Sequence, residues 1–303
     1  MSFLQVRNRT RNWLQLMRLQ FLPAGFLFLI IGSMARGRPD VDTAAMIFGI
    51  AAVVLLLLSF GLVNELTDWK GDRFARRTAF SGGSGVLASG AAAPSDALAW
   101  GIVALGLSFA CAWQVHDLVP GRDLFLPMMM VIAILGWGLS VRPLRLIGTG
   151  AGELTITAII SIAVPYLGHY LAHGRFDASL LTYLLPLIFF TFAFTIAAEY
   201  PDRTADIRSR KTNLVYRFGT RRMGIAMMIS TFLGYGSLAV LLLTGEVHWL
   251  GWSLFLMLPF VWAGGMVMSY AKHHDHLQAS VTVWFMALQL GLSSTVMTLG
   301  LIR

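Results

Sequence analysis

Charged residues are so unevenly spaced along this chain that they leave it few ways to fold. Nine uncharged, mostly apolar stretches of 17 to 27 residues lie between Arg18 and Arg36, Asp42 and Glu65, Asp96 and Asp117, Asp123 and Arg142, Glu153 and Arg175, Asp177 and Glu199, Arg222 and Glu246, Glu246 and Lys272, and Asp275 and Arg303. A helix needs about 17–25 such residues to cross the hydrocarbon of a bilayer. The spacing therefore predicts an all-α integral membrane bundle of nine transmembrane helices. Composition agrees: 56% of the 303 residues are hydrophobic and 13% are charged, against about 25% charged in a soluble domain. An ordinary soluble enzyme, a disordered chain and a disulfide-rich secreted domain are excluded, and the single cysteine, Cys111, has no intrachain partner. One further uncharged stretch, Thr78 to Ser95, is dominated by Gly, Ser and Ala. It predicts a loop, with Pro94 opening the next helix and Ser95 capping it.

The net charge of +8 reads as topology or an anionic-ligand site rather than nucleic-acid binding. With the N-terminus in the cytoplasm and the C-terminus outside, 18 of the 23 Lys and Arg residues fall on the cytoplasmic side, as the positive-inside rule requires. Arg36, Arg38, Arg122, Arg175 and Arg303 fall outside. Residues 1–18 combine Arg7, Arg9 and Arg11 with Trp13, Leu14, Leu16 and Met17. They predict an interfacial amphipathic segment rather than a cleaved leader. Residues 19–303 are expected to form one nine-helix domain.

Six of the 15 acidic residues fall in two clusters. The first, Asn64-Glu65-Leu66-Thr67-Asp68-Trp69-Lys70-Gly71-Asp72, ends the second predicted span. The second, Glu199-Tyr200-Pro201-Asp202-Arg203-Thr204-Ala205-Asp206, ends the sixth, on the same side. Residues four apart share a helix face. Asn64, Asp68 and Asp72 can thus face Asp202 and Asp206 across the bundle, an all-oxygen set suited to Mg²⁺ with substrate phosphates as further ligands. Acids at membrane borders are costly unless paired or metal-bound, and at helix C-termini they oppose the macrodipole. Bases follow each cluster: Arg73, Arg76 and Arg77 after the first, then Arg208, Arg210, Lys211, Arg217, Arg221 and Arg222 after the second. Arg142 and Arg145 lie on the same side near Ser140. Acids that hold a divalent cation, interleaved with Arg and Lys, suit a diphosphate. The Ser81-Gly82-Gly83-Ser84-Gly85 run reads as a flexible turn, with backbone N–H groups also available to a phosphate. The His273-His274-Asp275-His276 cluster reads as a solvated cap after the eighth span. No Walker A, Rossmann, zincin or GxSxG pattern is present.

This arrangement resembles the UbiA superfamily of intramembrane prenyltransferases, which have nine transmembrane helices and Asp-rich motifs after the second and sixth. The resemblance covers nearly the whole chain. Asp202 to Gly219, with its D-x-x-x-D followed by K-x-x-L-V-x-R-x-G, is similar to the menaquinone-type branch acting on 1,4-dihydroxy-2-naphthoate. Arg142 to Leu146, Gly150 to Leu154 and Gly168 to Tyr170 are similar to that branch as well.

The resemblance implies Mg²⁺-dependent transfer of a prenyl group from an isoprenyl diphosphate to an aromatic acceptor within the bilayer, through an allylic cation. Asp68, Asp72, Asp202 and Asp206, with Asn64, would hold the metal. Lys70, Arg73, Arg142, Arg145 and Lys211 would neutralise the departing diphosphate, lowering the barrier directly. Ser140, Phe190 and Phe194 would line the substrate pocket, the aromatic faces suiting a cation; Phe189 and Phe192 share their span. The expected place is the inner membrane with the site facing the cytoplasm, and the expected role is quinone biosynthesis. A terpene cyclase, or a prenyltransferase with a non-aromatic acceptor, would carry the same motifs. A transporter would instead place its ionisable residues near the midplane.

Overall fold

The apolar stretches become helices. A computed structural model describes residues 3–35, 37, 39, 41–209, 211–270 and 276–301, and among these every regular element is helical. In chain order they are α1 (Phe3–Leu16), α2 (Leu22–Met34), α3 (Thr43–Asp72), α4 (Pro94–Leu118), α5 (Phe125–Ser140), α6 (Gly152–Ala158), α7 (Val164–His173), α8 (Ser179–Glu199), α9 (Arg203–Ser209), α10 (Leu214–Leu243), α11 (Leu258–Tyr270) and α12 (His276–Leu301). Eight segments of the described residues are long and apolar enough to cross a membrane: 10–34, α3, α4, 152–173, α8, α10, 249–270 and 276–299. The stretch between Asp123 and Arg142 yields only the 16-residue apolar helix α5, about 24 Å long at 1.5 Å per residue. Arg36, Arg38, Arg210, Lys272, His273, His274, Asp275 and Arg303 lie outside the described residues.

Two expectations about helix starts are corrected. Ser95 does not cap α4: Pro94 occupies its first turn, and the Ala93 N–H reaches the Asp96 carboxylate at 3.3 Å. His276 opens α12 rather than closing the preceding helix, and its Nε2 lies 2.9 Å from the Arg76 carbonyl.

Small residues decide how closely the helices approach, as in many membrane bundles. A Cβ on Gly32 would sit 1.8 Å from the Pro165 carbonyl oxygen, and one on Gly168 would sit 2.2 Å from that of Leu29, so α2 and α7 meet backbone to backbone. α3 packs along α4, and α8 along α10 and α12. Phe28, Leu56, Phe125, Leu167 and Phe190 are fully buried between them, while Ile134, Phe232, Leu243 and Leu256 point outward. Outward-facing large apolar side chains in such number suit lipid rather than water. Between α6 and α7 one wide turn, Ile159–Ala163, follows the π pattern. Such turns are frequent at functional sites, and Ile159 and Ile160 line the cavity described next.

Arg18, at the expected boundary of the N-terminal segment, breaks the chain with a left-handed φ of 45° between α1 and the turn leading into α2. Leu16 just before it is fully buried against Leu62, Val86, Leu87 and Ala97, so α1 is docked on the bundle.

Candidate active site

Both acidic clusters open into one cavity of about 310 Å³, polar at one end and apolar at the other. Asn64, Asp68 and Asp72 line it from the last turns of α3, where the i, i+4, i+8 spacing sets them on one face. Asp202 and Asp206 line it from the turn after α8 and from α9. The second motif does not continue its span as a helix end. α8 stops at Glu199, Tyr200–Asp202 turn, and α9 starts afresh at Arg203. Its acids therefore stand at a helix start, where the macrodipole favours them.

Three of the four motif carboxylates have a distinct polar tether. Lys211 Nζ donates to Asp68 Oδ2 at 2.9 Å, an ion pair that joins the two motifs. Asp202 Oδ2 accepts the Gly82 N–H at 2.7 Å. Asp206 Oδ2 accepts from Asn213 Nδ2 at 2.7 Å, and the Asn213 Oδ1 in turn caps α10 by accepting the Tyr216 N–H. Asn64 Oδ1 accepts from Ser140 Oγ at 3.1 Å, tying α3 to the end of α5. Gly83, with φ 64°, packs so tightly on Asp72 that a Cβ there would lie 2.1 Å from Oδ2.

The glycine loop is an ordered clamp over the polar end. Glu65, buried beneath it, accepts the Ser84 N–H at 2.8 Å and the Ser84 hydroxyl at 2.6 Å, and pairs with Arg18 Nη1 at 3.4 Å. Arg18 Nη2 also donates to the Phe80 carbonyl, and its guanidinium lies 4.7 Å above the Phe21 ring.

Burial and mutual repulsion shape the charges. Desolvation, with the charge of Asp206 adding to it, pushes the Asp202 carboxyl up to about 7 against the pull of the Gly82 N–H and Lys211. Desolvation likewise raises Asp206 to about 6, with Lys211 opposing. Burial works against the Lys211 charge, but Asp68 and Asp206 outweigh it and hold the ammonium above its ordinary range.

An oxygen-only donor set suits a hard divalent cation. Asp202 Oδ1 is buried with no hydrogen-bond partner, the sort of acceptor a cation would satisfy. Among the described residues no three His, Cys, Asp or Glu side chains converge tightly enough to cage an ion.

The structure brings Asn64, Asp68, Asp72, Asp202, Asp206, Lys211, Ser140 and Phe194 to one cavity. It places the other sequence candidates elsewhere. Lys70 and Arg73 are exposed and stack on Trp69, with centroid distances of 5.7 and 4.4 Å. Arg142 and Arg145 are exposed on the loop after α5. Phe190 is fully buried in the core against Tyr235, its ring abutting Gly234. Arg217 is occupied with the Thr149 carbonyl at 2.7 Å. Sequence reasoning missed Arg18, Phe80, Glu153 and Glu199, all cavity-lining. Glu153 and Glu199 bound two of the apolar stretches and were readable as markers of span ends.

The chain matches the family model described as the UbiA prenyltransferase family over residues 25–293. Solved structures share the fold at low identity. A UbiA homologue from Aeropyrum pernix K1 is 15% identical, with 92% of this chain and 98% of that one covered and a TM-score of 0.69. A UbiA homologue from Archaeoglobus fulgidus bound to DMAPP and Mg²⁺ is 16% identical, with 94% and 99% covered and a TM-score of 0.63. A digeranylgeranylglyceryl phosphate synthase is 13% identical, with 97% and 99% covered and a TM-score of 0.61. A search among curated proteins finds no match. The family match spans α3 to α11, most of α2 and α12, and both acidic motifs: this integral membrane protein belongs to the UbiA prenyltransferase family.

Proposed function

We propose that the protein transfers a prenyl group from an isoprenyl diphosphate to an aromatic acceptor of the quinone-precursor type, such as 1,4-dihydroxy-2-naphthoate. The observation that carries this reading is the shared cavity: two carboxylate motifs and one partly buried lysine at its polar end, continuous with an apolar chamber. The Archaeoglobus homologue was solved with a short allylic diphosphate and Mg²⁺, which supports the same donor and metal here.

Asn64, Asp68, Asp72, Asp202 and Asp206 would hold Mg²⁺. Mg²⁺ held by these residues would supply Lewis-acid charge to offset that of the leaving diphosphate. Lys211 lines the same cavity and would supply a preorganised cation to the diphosphate. Lys70, Arg73, Arg142 and Arg145 lie at the same end of the bundle and attract the anionic donor at range. Ser140 positions the Asn64 amide. The prenyl tail follows the apolar walls past Leu57, Ile156, Ile159, Ile160 and Leu290, and the Phe194 and Phe80 faces near the polar end suit the allylic cation. Clamping the glycine loop over this end keeps water from quenching that cation. The same reading puts the N-terminus and the site on the cytoplasmic side of the inner membrane, with residues 1–18 at the interface.

The test is product analysis by mass spectrometry. Detergent-purified protein is incubated with Mg²⁺ and prenyl diphosphates of several lengths, with and without dihydroxynaphthoate and hydroxybenzoate. A prenylated acceptor is expected. Diphosphate consumed without an adduct would instead favour cyclisation or a non-aromatic acceptor.

A further inference from the structure

The first acidic cluster holds one carboxylate that the metal set does not use. Glu65 follows Asn64 on α3, about 100° further around the helix, and is 2% exposed. Asn64, Asp68 and Asp72 line the cavity, and Glu65 does not. A carboxylate so deeply placed is tolerated where donors fill its oxygens. Glu65 Oε1 accepts the Ser84 N–H at 2.8 Å, and Oε2 accepts the Ser84 hydroxyl at 2.6 Å. Arg18 Nη1 lies 3.4 Å from Oε1.

Ser84 stands two residues from Gly82, whose N–H donates to Asp202 Oδ2 at 2.7 Å. Gly82 has φ 76°, and a Gly-Gly-Ser-Gly run has little stiffness of its own. Bonds inside the loop, from the Ser81 N–H to Thr78 Oγ1 at 2.9 Å and from Arg77 Nη2 to the Gly85 carbonyl at 3.1 Å, set its curl but not its place over the cavity. Gln20 and His276 hold only its earlier limb, at the Ala79 and Arg76 carbonyls. The limb that carries Gly82 is fixed on one side by Glu65 through Ser84 and on the other by Arg18, whose Nη2 donates to the Phe80 carbonyl at 3.0 Å. Arg18 pairs with Glu65 as well, so both anchors converge on one side chain of a long helix.

We propose that Glu65 is a positioning residue for the second motif: through Ser84 and Gly82 it holds the Asp202 carboxylate ready for the metal. The Gly82 N–H occupies Oδ2 and leaves Oδ1, buried without a hydrogen-bond partner, for the cation. This rests on the prenyl-transfer reading above, in which Asp202 holds Mg²⁺. Groups that orient a ligating side chain from outside change metal affinity about 10- to 100-fold. Glu65 thus ties the metal ligands of one motif to those of the other without touching the metal itself.

The test compares wild type with Glu65→Ala, Glu65→Gln, Ser84→Ala and Asp202→Asn, and with Glu65→Ala and Ser84→Ala each combined with Asp202→Asn. Mg²⁺ is titrated into detergent-purified protein holding an unreactive thiodiphosphate analogue of geranyl diphosphate. Hydrogen exchange is followed over residues 81–85 in the metal-free protein. Glu65→Ala is expected to speed that exchange and to weaken Mg²⁺ about 10-fold, with Ser84→Ala moving both the same way by less. Glu65→Gln keeps an oxygen for the Ser84 N–H and an amide for the Ser84 oxygen, so it is expected to recover most of the loss; a role resting on the carboxylate charge would not be rescued. Once Asp202 is Asn, Glu65→Ala is expected to cost no further Mg²⁺ affinity, whereas a general loss of stability would add. Where Glu65→Ala does not fold, the Ser84→Ala cycle decides the matter. Folded variants with wild-type exchange and Mg²⁺ affinity, or losses that add to that of Asp202→Asn, would overturn the positioning role and leave the prenyl-transfer reading standing. A wild type that binds no Mg²⁺ with the analogue would overturn both.

Discussion

The two aspartate motifs share a four-residue spacing and are held in opposite ways. Motif one rides on the unbroken 30-residue helix α3, its acids at the C-terminal end where the backbone dipole disfavours them. Motif two stands after a break, with Asp202 in the turn and Asp206 in the first turn of α9. Motif one depends on an external cation, Lys211, whereas motif two depends on N–H donors from Gly82 and Asn213. Lys211 belongs to the second motif's loop yet serves the first. The rigid half thus supplies positions, the reset half supplies the counter-charge, and neither is a complete site alone.

The sharpest way to break this comparison is to remove one acid from each half. Asp68→Asn and Asp202→Asn should each lower turnover by about 10³-fold with the fold retained, read from diphosphate release. Full activity in either would show that one motif suffices. Lys211→Met probes the link between the halves. Turnover should fall about 100-fold, while Mg²⁺ affinity without donor rises, because the ammonium no longer competes for Asp68. A titration of Mg²⁺ into the folded variant checks the sign.

Protonation sharpens the contrast further. Asp202 and Asp206 are raised to about 7 and 6, so in metal-free protein they retain protons well above the ordinary carboxylate range. Their contribution to stability is present in full below the ordinary value of 3.8, falls as pH rises above it and is gone above about 6 to 7. The metal-free melting temperature should drift down across that window and Mg²⁺ should cancel the drift, with metal affinity climbing and protons released on binding. The smallest effects belong to the tethers. Gly83→Ala should cost about 1–2 kcal/mol from its left-handed backbone and disturb Asp72, and Asn213→Ala should cost about 1 kcal/mol through the lost α10 cap. Denaturant melts of both variants test this.

The helical bundle was legible in the sequence because a bilayer forces charge out of its interior, and spacing alone records that. The glycine loop was legible too, since Gly-rich runs do not sustain a helix. The motif-one face was readable because Asn64, Asp68 and Asp72 lie on one continuous helix. The break after Glu199 was harder: Pro201 sits inside the motif, but the D-x-x-x-D spacing suits a continuing helix equally well. Phe190 and Phe194 share a stripe at helical spacing. Only the contact with Gly234 and Tyr235 sends Phe190 into the core and leaves Phe194 on the cavity. Charge near an acidic motif is visible in sequence while the direction of each base is not. Lys70 and Arg73 turn onto Trp69. Arg18 and Glu65 meet only through tertiary packing.

The central claim is that the two motifs are halves of one diphosphate site. A double-mutant cycle on Mg²⁺-dependent geranyl diphosphate binding, with wild type, Asp68→Asn, Asp202→Asn and the double variant, tests it most directly. The account predicts strong coupling, with the double variant binding no more weakly than the worse single one. Losses that simply add would place the motifs in separate sites and contradict it.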